Sequence, residues 1–450
     1  MNKILAALFA FIFACCFNAS AFSFQQPQTH SEEQAEGEEG EIFLNIKPKA
    51  KDAIFNENVV YDIDIKSTYK VRQDGKISYV LTTDDGKPVH KDSVKVNIGP
   101  HGSSSVKFKL PAKTPGFYEL SFRLNLSYYD DTVRRVFGYK ATEIKAQISR
   151  PADFTEFWQK SKQELAKIQP KYKILERNDL STPKVKVYQV EMQSWGNVTI
   201  KGFLSIPERR PAKLPVRYVV PGYLVAMEPI TYDVDFATFC INVRGNGNSK
   251  DAIDTKGIQY NMYNIADKNN YIYRGVYLDC LRGVDFIAAH TKLGLDTSRI
   301  LVQGGSQGGA LAIVVAALDK RVNLVITEEP LYSDIHNSVR ISKTMRPAST
   351  SPIGYFTRHI SQNSRVNEPQ FFRTWDYYDP LNFAPLVRCP VLMGIGLLDE
   401  LCPPSCSWGL FNRFGSDKKE IWSSPDKAHE VDQIYYRFQN QWLREHYMLP

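Results

Sequence analysis

The sequence predicts an antiparallel β-sandwich followed by a larger α/β domain, whose mostly parallel sheet carries helices on both faces. Three observations predict it. From Ile42 to Tyr139 apolar residues recur with a period of two, the spacing that puts alternate side chains on one face of a strand. Beyond Ser149-Arg150-Pro151 this gives way to short β-branched runs separated by helix-length apolar segments. Between one such run and one such helix stands a glycine-flanked serine, Gly304-Gly305-Ser306-Gln307-Gly308.

The 450 residues leave room for a leader as well. Met1-Asn2-Lys3 precedes an apolar run from Ile4 to Phe17, and Ala19-Ser20-Ala21 supplies small residues for cleavage. Residues 1–21 therefore read as a secretory signal peptide, which predicts a secreted or periplasmic protein. The run is too short for a comfortable membrane span, and no later segment reads as transmembrane. Ile12-Phe13-Ala14-Cys15 loosely fits a lipobox, so lipid anchoring at Cys15 stands as the minor alternative. Residues 22–41 include Glu32, Glu33, Glu36, Glu38, Glu39 and Glu41, and read as an acidic, solvated leader.

Cleavage after Ala21 leaves Cys240, Cys280, Cys389, Cys402 and Cys406. Their odd number and wide spacing argue against a disulfide framework and for buried or free thiols. Local pairing of Cys402 with Cys406 stays open, and a zinc site would need more ligands at suitable spacing. The net charge of +7 is spread along the chain, without basic clusters interleaved with aromatics, which speaks against nucleic acid as a partner.

The sandwich is expected over residues 42–148. Tyr61, Ile63 and Ile65 alternate with charges, as do Val94, Val96 and Ile98, then Val106, Phe108 and Leu110, then Leu120, Phe122, Leu124 and Leu126. Asp74-Gly75, Asp85-Gly86 and Pro115-Gly116 read as turns between them. Strands this short and this regularly spaced indicate an immunoglobulin-like sandwich. His90 and His101 lie in polar surroundings and read as solvated.

The α/β domain is expected over residues 149–450. It opens with an amphipathic helix through Phe157-Trp158 and Leu165. Strands follow at Arg217–Val220, Ala237–Val243, Ile300–Gln303, Leu324–Thr327 and Val391–Ile395. Helices are expected at Tyr273–Ala289, after the serine, and at Gln433–Glu445.

A serine at a sharp strand-to-helix turn fits the nucleophile elbow of α/β-hydrolases, in which Gly304 and Gly308 leave room for a strained backbone. Such a turn aims the backbone N–H of Gln307 at a developing oxyanion. A serine hydroxyl also needs a histidine to take its proton and a carboxylate to orient that histidine. Asp399 follows the run Val391–Ile395, and His429 precedes the last helix, giving the chain order serine, acid, histidine. Glu400 and Asp426 are the rival acids. His336 and His359 come too early in the chain, and His446 ends a helix, where a cation needs no catalytic explanation.

These motifs resemble the acetyl xylan esterase/cephalosporin C deacetylase family, carbohydrate esterase family 7. Arg244-Gly245 after a strand, the Tyr273-Arg274-Gly275-Val276-Tyr277-Leu278-Asp279 stretch, the Phe157-Trp158 helix and Tyr378-Asp379 are also similar. The resemblance runs from about Pro151 to the C-terminus. It implies a serine esterase that needs no metal or other cofactor and removes acetyl groups from acetylated oligosaccharides, such as xylan fragments, or other small acetyl esters. Ser306 would be the nucleophile, His429 the base and acid, and Asp399 the orienter. The oxyanion hole would be the backbone N–H groups of Gln307 and Tyr223, with Arg244 structural.

The chain departs from that pattern at Pro221, where the family has histidine, and at Arg244-Gly245-Asn246, where it has Arg-Gly-Gln. The stretch between Tyr223 and Ala237 is short for the family's helix there. The family's ring-like homo-oligomer could be blocked by the added sandwich, so the oligomeric state stays open. Two other classes compete. A prolyl-oligopeptidase-like peptidase would carry an aromatic residue at Gln307 and a much longer N-terminal propeller. A non-catalytic carbohydrate-binding protein on a hydrolase fold would have no use for Ser306, Asp399 and His429 together.

Overall fold

The computed structural model describes residues 39–344, 351–362 and 366–447. The expected signal peptide (residues 1–21), Cys15 and most of the expected acidic leader lie outside them.

Eight strands follow one another first: β1 (Ile42–Pro48), β2 (Ile54–Phe55), β3 (Val59–Ser67), β4 (Gln73–Thr83), β5 (Pro88–Ile98), β6 (Ser103–Leu110), β7 (Gly116–Leu126) and β8 (Tyr129–Tyr139). One sheet has the order β1-β3-β6 and the other β2-β8-β7-β4-β5. The inward residues of the alternating runs, among them Ile63, Ile65, Leu120, Phe122 and Leu124, are fully buried between the sheets. Two details suit an immunoglobulin-like sandwich. The short β2 pairs in parallel with the end of β8. Near the start of β7, the Tyr118 hydroxyl donates back to the Thr114 carbonyl at 2.8 Å, a tyrosine corner.

Asp74-Gly75 is not a turn, contrary to its sequence signal. Both residues lie inside β4, where a side chain at Gly75 would come within 2.0 Å of the Asn125 carbonyl on β7. The glycine serves close strand approach rather than chain reversal. Asp85-Gly86 does turn, with Gly86 at φ +78°.

The second part contains β9 (Lys173–Glu176), β10 (Val185–Ser194), β11 (Val198–Pro207), β12 (Leu214–Val219), β13 (Ala237–Asn242), β14 (Leu295–Gly305), β15 (Leu324–Glu328), β16 (Val391–Gly396) and β17 (Lys419–Ser424). They form one sheet in the order β17-β16-β15-β14-β12-β13-β11-β10-β9. Six strands from β17 to β13 run parallel, and the rest join antiparallel. The antiparallel lead-in β9–β11 and the edge strand β17 were not anticipated from the sequence.

The helices are α1 (Phe154–Ala166), α2 (Ile272–Ala289), α3 (Gln307–Leu318), α4 (Ile335–Ser342), α5 (Pro352–Gln362), α6 (Glu368–Trp375), α7 (Pro380–Phe383), α8 (Pro404–Arg413) and α9 (Gln433–Tyr447). Helix α3 is apolar all round and buried along nearly its whole length, as a helix packed between sheet and neighbours must be. No helix of the described residues is long and apolar enough to cross a membrane. From β12 the chain moves outward to β13 and then returns to β14 on the opposite side of β12. That reversal opens a crevice at the carboxyl ends of β12 and β14, where ligands bind in open α/β sheets.

Candidate active site

Ser306 stands between β14 and α3 with φ +57° and ψ −124°, a region L-residues rarely adopt. Holding it there costs on the order of 1–3 kcal/mol, so the surroundings must fix it. Its N–H donates to the Glu328 carbonyl at 2.8 Å, and its carbonyl accepts from the Leu331 N–H at 3.0 Å. The glycines divide by need. A Cβ on Gly304 would lie 2.5 Å from the Gly308 carbonyl carbon, and one on Gly308 would lie 2.5 Å from the Val220 carbonyl oxygen. Gly305 has room for a side chain. The turn therefore requires Gly304 and Gly308.

The Gln307 N–H opens α3 beside Ser306. Its side chain, wholly buried, turns the other way. The amide nitrogen donates to the Pro221 and Gly222 carbonyls at 3.4 and 3.3 Å, and the amide oxygen accepts from the Tyr273 hydroxyl at 2.5 Å. One side chain thus ties the elbow to helix α2 and to the loop carrying Tyr223. That loop turns through Leu224 at φ +57° and contains no helix before β13. The Tyr223 hydroxyl accepts from Gln259 at 2.8 Å.

Asp399 and His429 meet. His429 Nδ1 lies 2.7 Å from Asp399 Oδ2, and the Asp399 carboxyl is sealed while the His429 ring is one-quarter exposed. The other carboxylate oxygen accepts from the N–H groups of Leu401 and Cys402 at 2.8 and 2.9 Å. This arrangement fixes the ring's orientation and leaves Nε2 as the ring nitrogen not engaged by Asp399. The two loops also touch through backbone: Leu398 N–H donates to the Lys427 carbonyl at 2.8 Å. A Cβ at Gly396 would lie 1.9 Å from the Ala428 carbonyl. Cys402 Sγ shares this neighbourhood, with one atom each of Asp399, Cys402 and His429 within 4.8 Å of one another. Burial pushes the Cys402 thiol well up. All five described cysteines are free, including Cys402 and Cys406.

The rival acids have other partners. Glu400 accepts from Arg134, and Asp426 lies 3.4 Å from Arg135 Nε without a hydrogen bond, both arginines coming from β8 of the sandwich. His336 pairs with Asp376 at 2.8 Å and lines a cleft of about 550 Å³ between sandwich and α4, whose walls include none of Ser306, Asp399 and His429. His446 Nδ1 lies 2.8 Å from the Trp442 carbonyl. His90 is exposed and bonds the Tyr79 hydroxyl at 2.9 Å. Arg244 braces the scaffold: its guanidinium grips both Asp279 oxygens at 2.8 Å and the Trp195 carbonyl at 2.9 Å.

Sequence reasoning missed two acids beside the elbow. Glu328 ends β15, part-buried, its carboxyl accepting from Gln439 at 2.9 Å, and desolvation pushes it up to about 7. Glu329 is buried at φ +38° with Oε1 unpartnered among the described residues. Burial, and then the neighbouring Glu328, Asp399 and Glu430, raise it well above the carboxylate range. A consecutive acid pair before Pro330 was the available signal.

Elbow, crevice and sheet order define an α/β-hydrolase, and the chain is a carboxylic ester hydrolase. Residues 139–446, more than half the chain, match the family described as acetyl xylan esterase (AXE1), and the chain belongs to it. The acetyl esterase Axe7A of Xylanibacter ruminicola is 25% identical over 347 residues, covering 74% of this chain and 75% of that protein. Among solved structures, the acetyl xylan esterase from Paenibacillus sp. R4 is similar at 27% identity and TM-score 0.60, covering 68% of this chain and 98% of its own. Acetyl xylan esterase 1 from Thermoanaerobacterium sp. JW/SL YS485 shares the fold at 24% identity and TM-score 0.61, with coverages of 68% and 98%.

Proposed function

We propose that the protein deacetylates small sugar esters, acetylated xylan fragments among them, through an acetyl-enzyme formed on Ser306. Ser306 Oγ attacks the acetyl carbonyl while His429 Nε2 takes the hydroxyl proton, and Asp399 stabilises the resulting imidazolium. The oxyanion is held by the backbone N–H groups of Gln307 and Tyr223, from the two strand ends that border the crevice. The tetrahedral intermediate collapses by breaking the bond to the sugar oxygen, which leaves with the proton from His429. Water, deprotonated by His429, then attacks the acetyl-serine, releasing acetate and restoring the hydroxyl.

The observation that carries this reading is the 2.7 Å Asp399–His429 contact at the same carboxyl end of the sheet as the strained Ser306. The substrate class is supported by the names of the relatives. Export by residues 1–21 is part of the proposal and rests on the sequence pattern alone. Fractionation of cells producing the full chain tests it, and protein found with its leader intact in the cytoplasm would refute it.

The test of chemistry compares p-nitrophenyl acetate, longer acyl esters and proline-containing peptide amides for wild type and Ser306→Ala. Acetate cleavage surviving Ser306→Ala would overturn the mechanism, and activity confined to peptides would overturn the substrate class. Acetate release from acetylated xylo-oligosaccharides, measured against other acetylated glycans, then identifies the preferred ester.

A further inference from the structure

Strand β8 of the sandwich meets both loops that carry Asp399 and His429. Consecutive strand residues point to opposite faces, and Arg134 and Arg135 use one face each. Arg134, opposite Ser121, donates to Glu119 on β7 at 2.8 Å and to Glu400 at 2.6 Å. Arg135, opposite the buried Leu120, brings Nε within 3.4 Å of Asp426 Oδ1. Glu400 directly follows Asp399, and Asp426 precedes His429 by three residues. The short β2 pairs only with Gly138 and Tyr139, so the stretch of β8 bearing both arginines forms a sheet edge.

The seam is anchored elsewhere by backbone contacts. From α8, Asn412 donates to the Ala141 and Ile144 carbonyls at 2.8 and 2.9 Å, and Arg413 Nε donates to the Ala146 carbonyl at 2.8 Å. The sandwich therefore presents β8 to the catalytic loops from a fixed position.

We infer that Arg134 and Arg135 are positioning residues: through Glu400 and Asp426 they hold the Asp399 and His429 loops in line with Ser306, making the sandwich a support of the catalytic apparatus. The inference rests on the proposed serine mechanism. Glu400 and Asp426 are largely exposed, so the pairs add little to global stability. Catalytic alignment is far more sensitive, because a displacement of about 1 Å can cost on the order of 100-fold in rate. The signature is thus a loss in kcat with folding intact.

The experiment uses the full-length protein with p-nitrophenyl acetate at low salt. In Arg134→Gln/Arg135→Gln, kcat is expected to fall about tenfold with KM within about twofold of wild type and Tm nearly unchanged. Raising the salt to about 1 M should narrow the gap, since exposed pairs are screened. Arg134→Glu should lose rate, and adding Glu400→Arg should restore much of it. Lys47→Gln, which breaks an ion pair to Asp64 within the sandwich, serves as the control and should leave kcat unchanged. A kcat of the double variant within about twofold of wild type, a loss that tracks Tm, or failure of the charge swap to recover rate would each overturn the inference. Ser306→Ala is measured alongside: full activity there would sink the underlying mechanism instead.

Discussion

The two flanks of the catalytic sheet treat buried acids differently. Beside α2, Asp279 is sealed from solvent, and Arg244 meets both of its oxygens. At the end of β15, Glu328 accepts from the neutral amide of Gln439, with the Arg217 charge acting on it without a direct ion pair, and Glu329 Oε1 is met by nothing among the described residues. Arg244 is held charged against the pull of burial by Asp279, whereas burial pushes Glu328 to about 7. An acid gripped by a guanidinium and one met mainly by a neutral amide thus sit in different electrostatic surroundings.

That contrast can be tested at graded strength. On the proposed mechanism Asp399 faces a cationic His429 in turnover, so Asp399→Asn should lower kcat on p-nitrophenyl acetate by on the order of 10⁴-fold while circular dichroism stays native. A loss below about tenfold would show that another acid, with Glu329 nearby, serves His429 instead. Arg244→Ala leaves Asp279 enclosed without a counter-ion and should destabilise the protein by about 3–5 kcal/mol in urea unfolding. Little change there would mean that Asp279 relaxes by taking up a proton or water.

On the opposite flank the sign reverses. The folded state holds a proton on Glu328 that the unfolded chain, titrating near 4.5, releases. Stability is therefore lost as pH rises through the interval from 4.5 to about 7. Glu328→Gln should leave Tm unchanged below pH 4.5 and raise stability by about 2 kcal/mol above pH 7, read from thermal unfolding across that range. A flat difference would show that the charge of Arg217, which already acts on Glu328, offsets the cost of burial in solution. Smallest is the seam contact of the half-exposed Arg340 with the more buried Asp84 and Asp85, where Arg340→Ala should cost about 1 kcal/mol, less in high salt.

The proposed catalytic residues were legible because the proposed chemistry imposes an order along the chain. A glycine-flanked serine, an acid after a later strand and a histidine before the last helix are local signals, and Asp399 and His429 do meet. The sandwich strands were legible because two faces of different polarity leave a period-two trace. Asp74-Gly75 misled because a glycine required by the neighbouring strand looks, in one dimension, like a glycine required by a turn. Strand β17 (Lys-Glu-Ile-Trp-Ser-Ser) was hidden because an edge strand needs few apolar residues. The side-chain role of Gln307 and the seam between β8 and the catalytic loops are contacts between distant segments, and no local pattern encodes them.

The Gln307 amide reaches the carbonyls of the Tyr223 loop on one side and the Tyr273 hydroxyl on the other. On the proposed chemistry, the spacing of the two amides that receive the oxyanion is therefore set during folding, by one side chain that never meets substrate. Any engineering of the acyl pocket that alters residue 307 would change the ruler against which transition states are measured, before it changed the pocket itself.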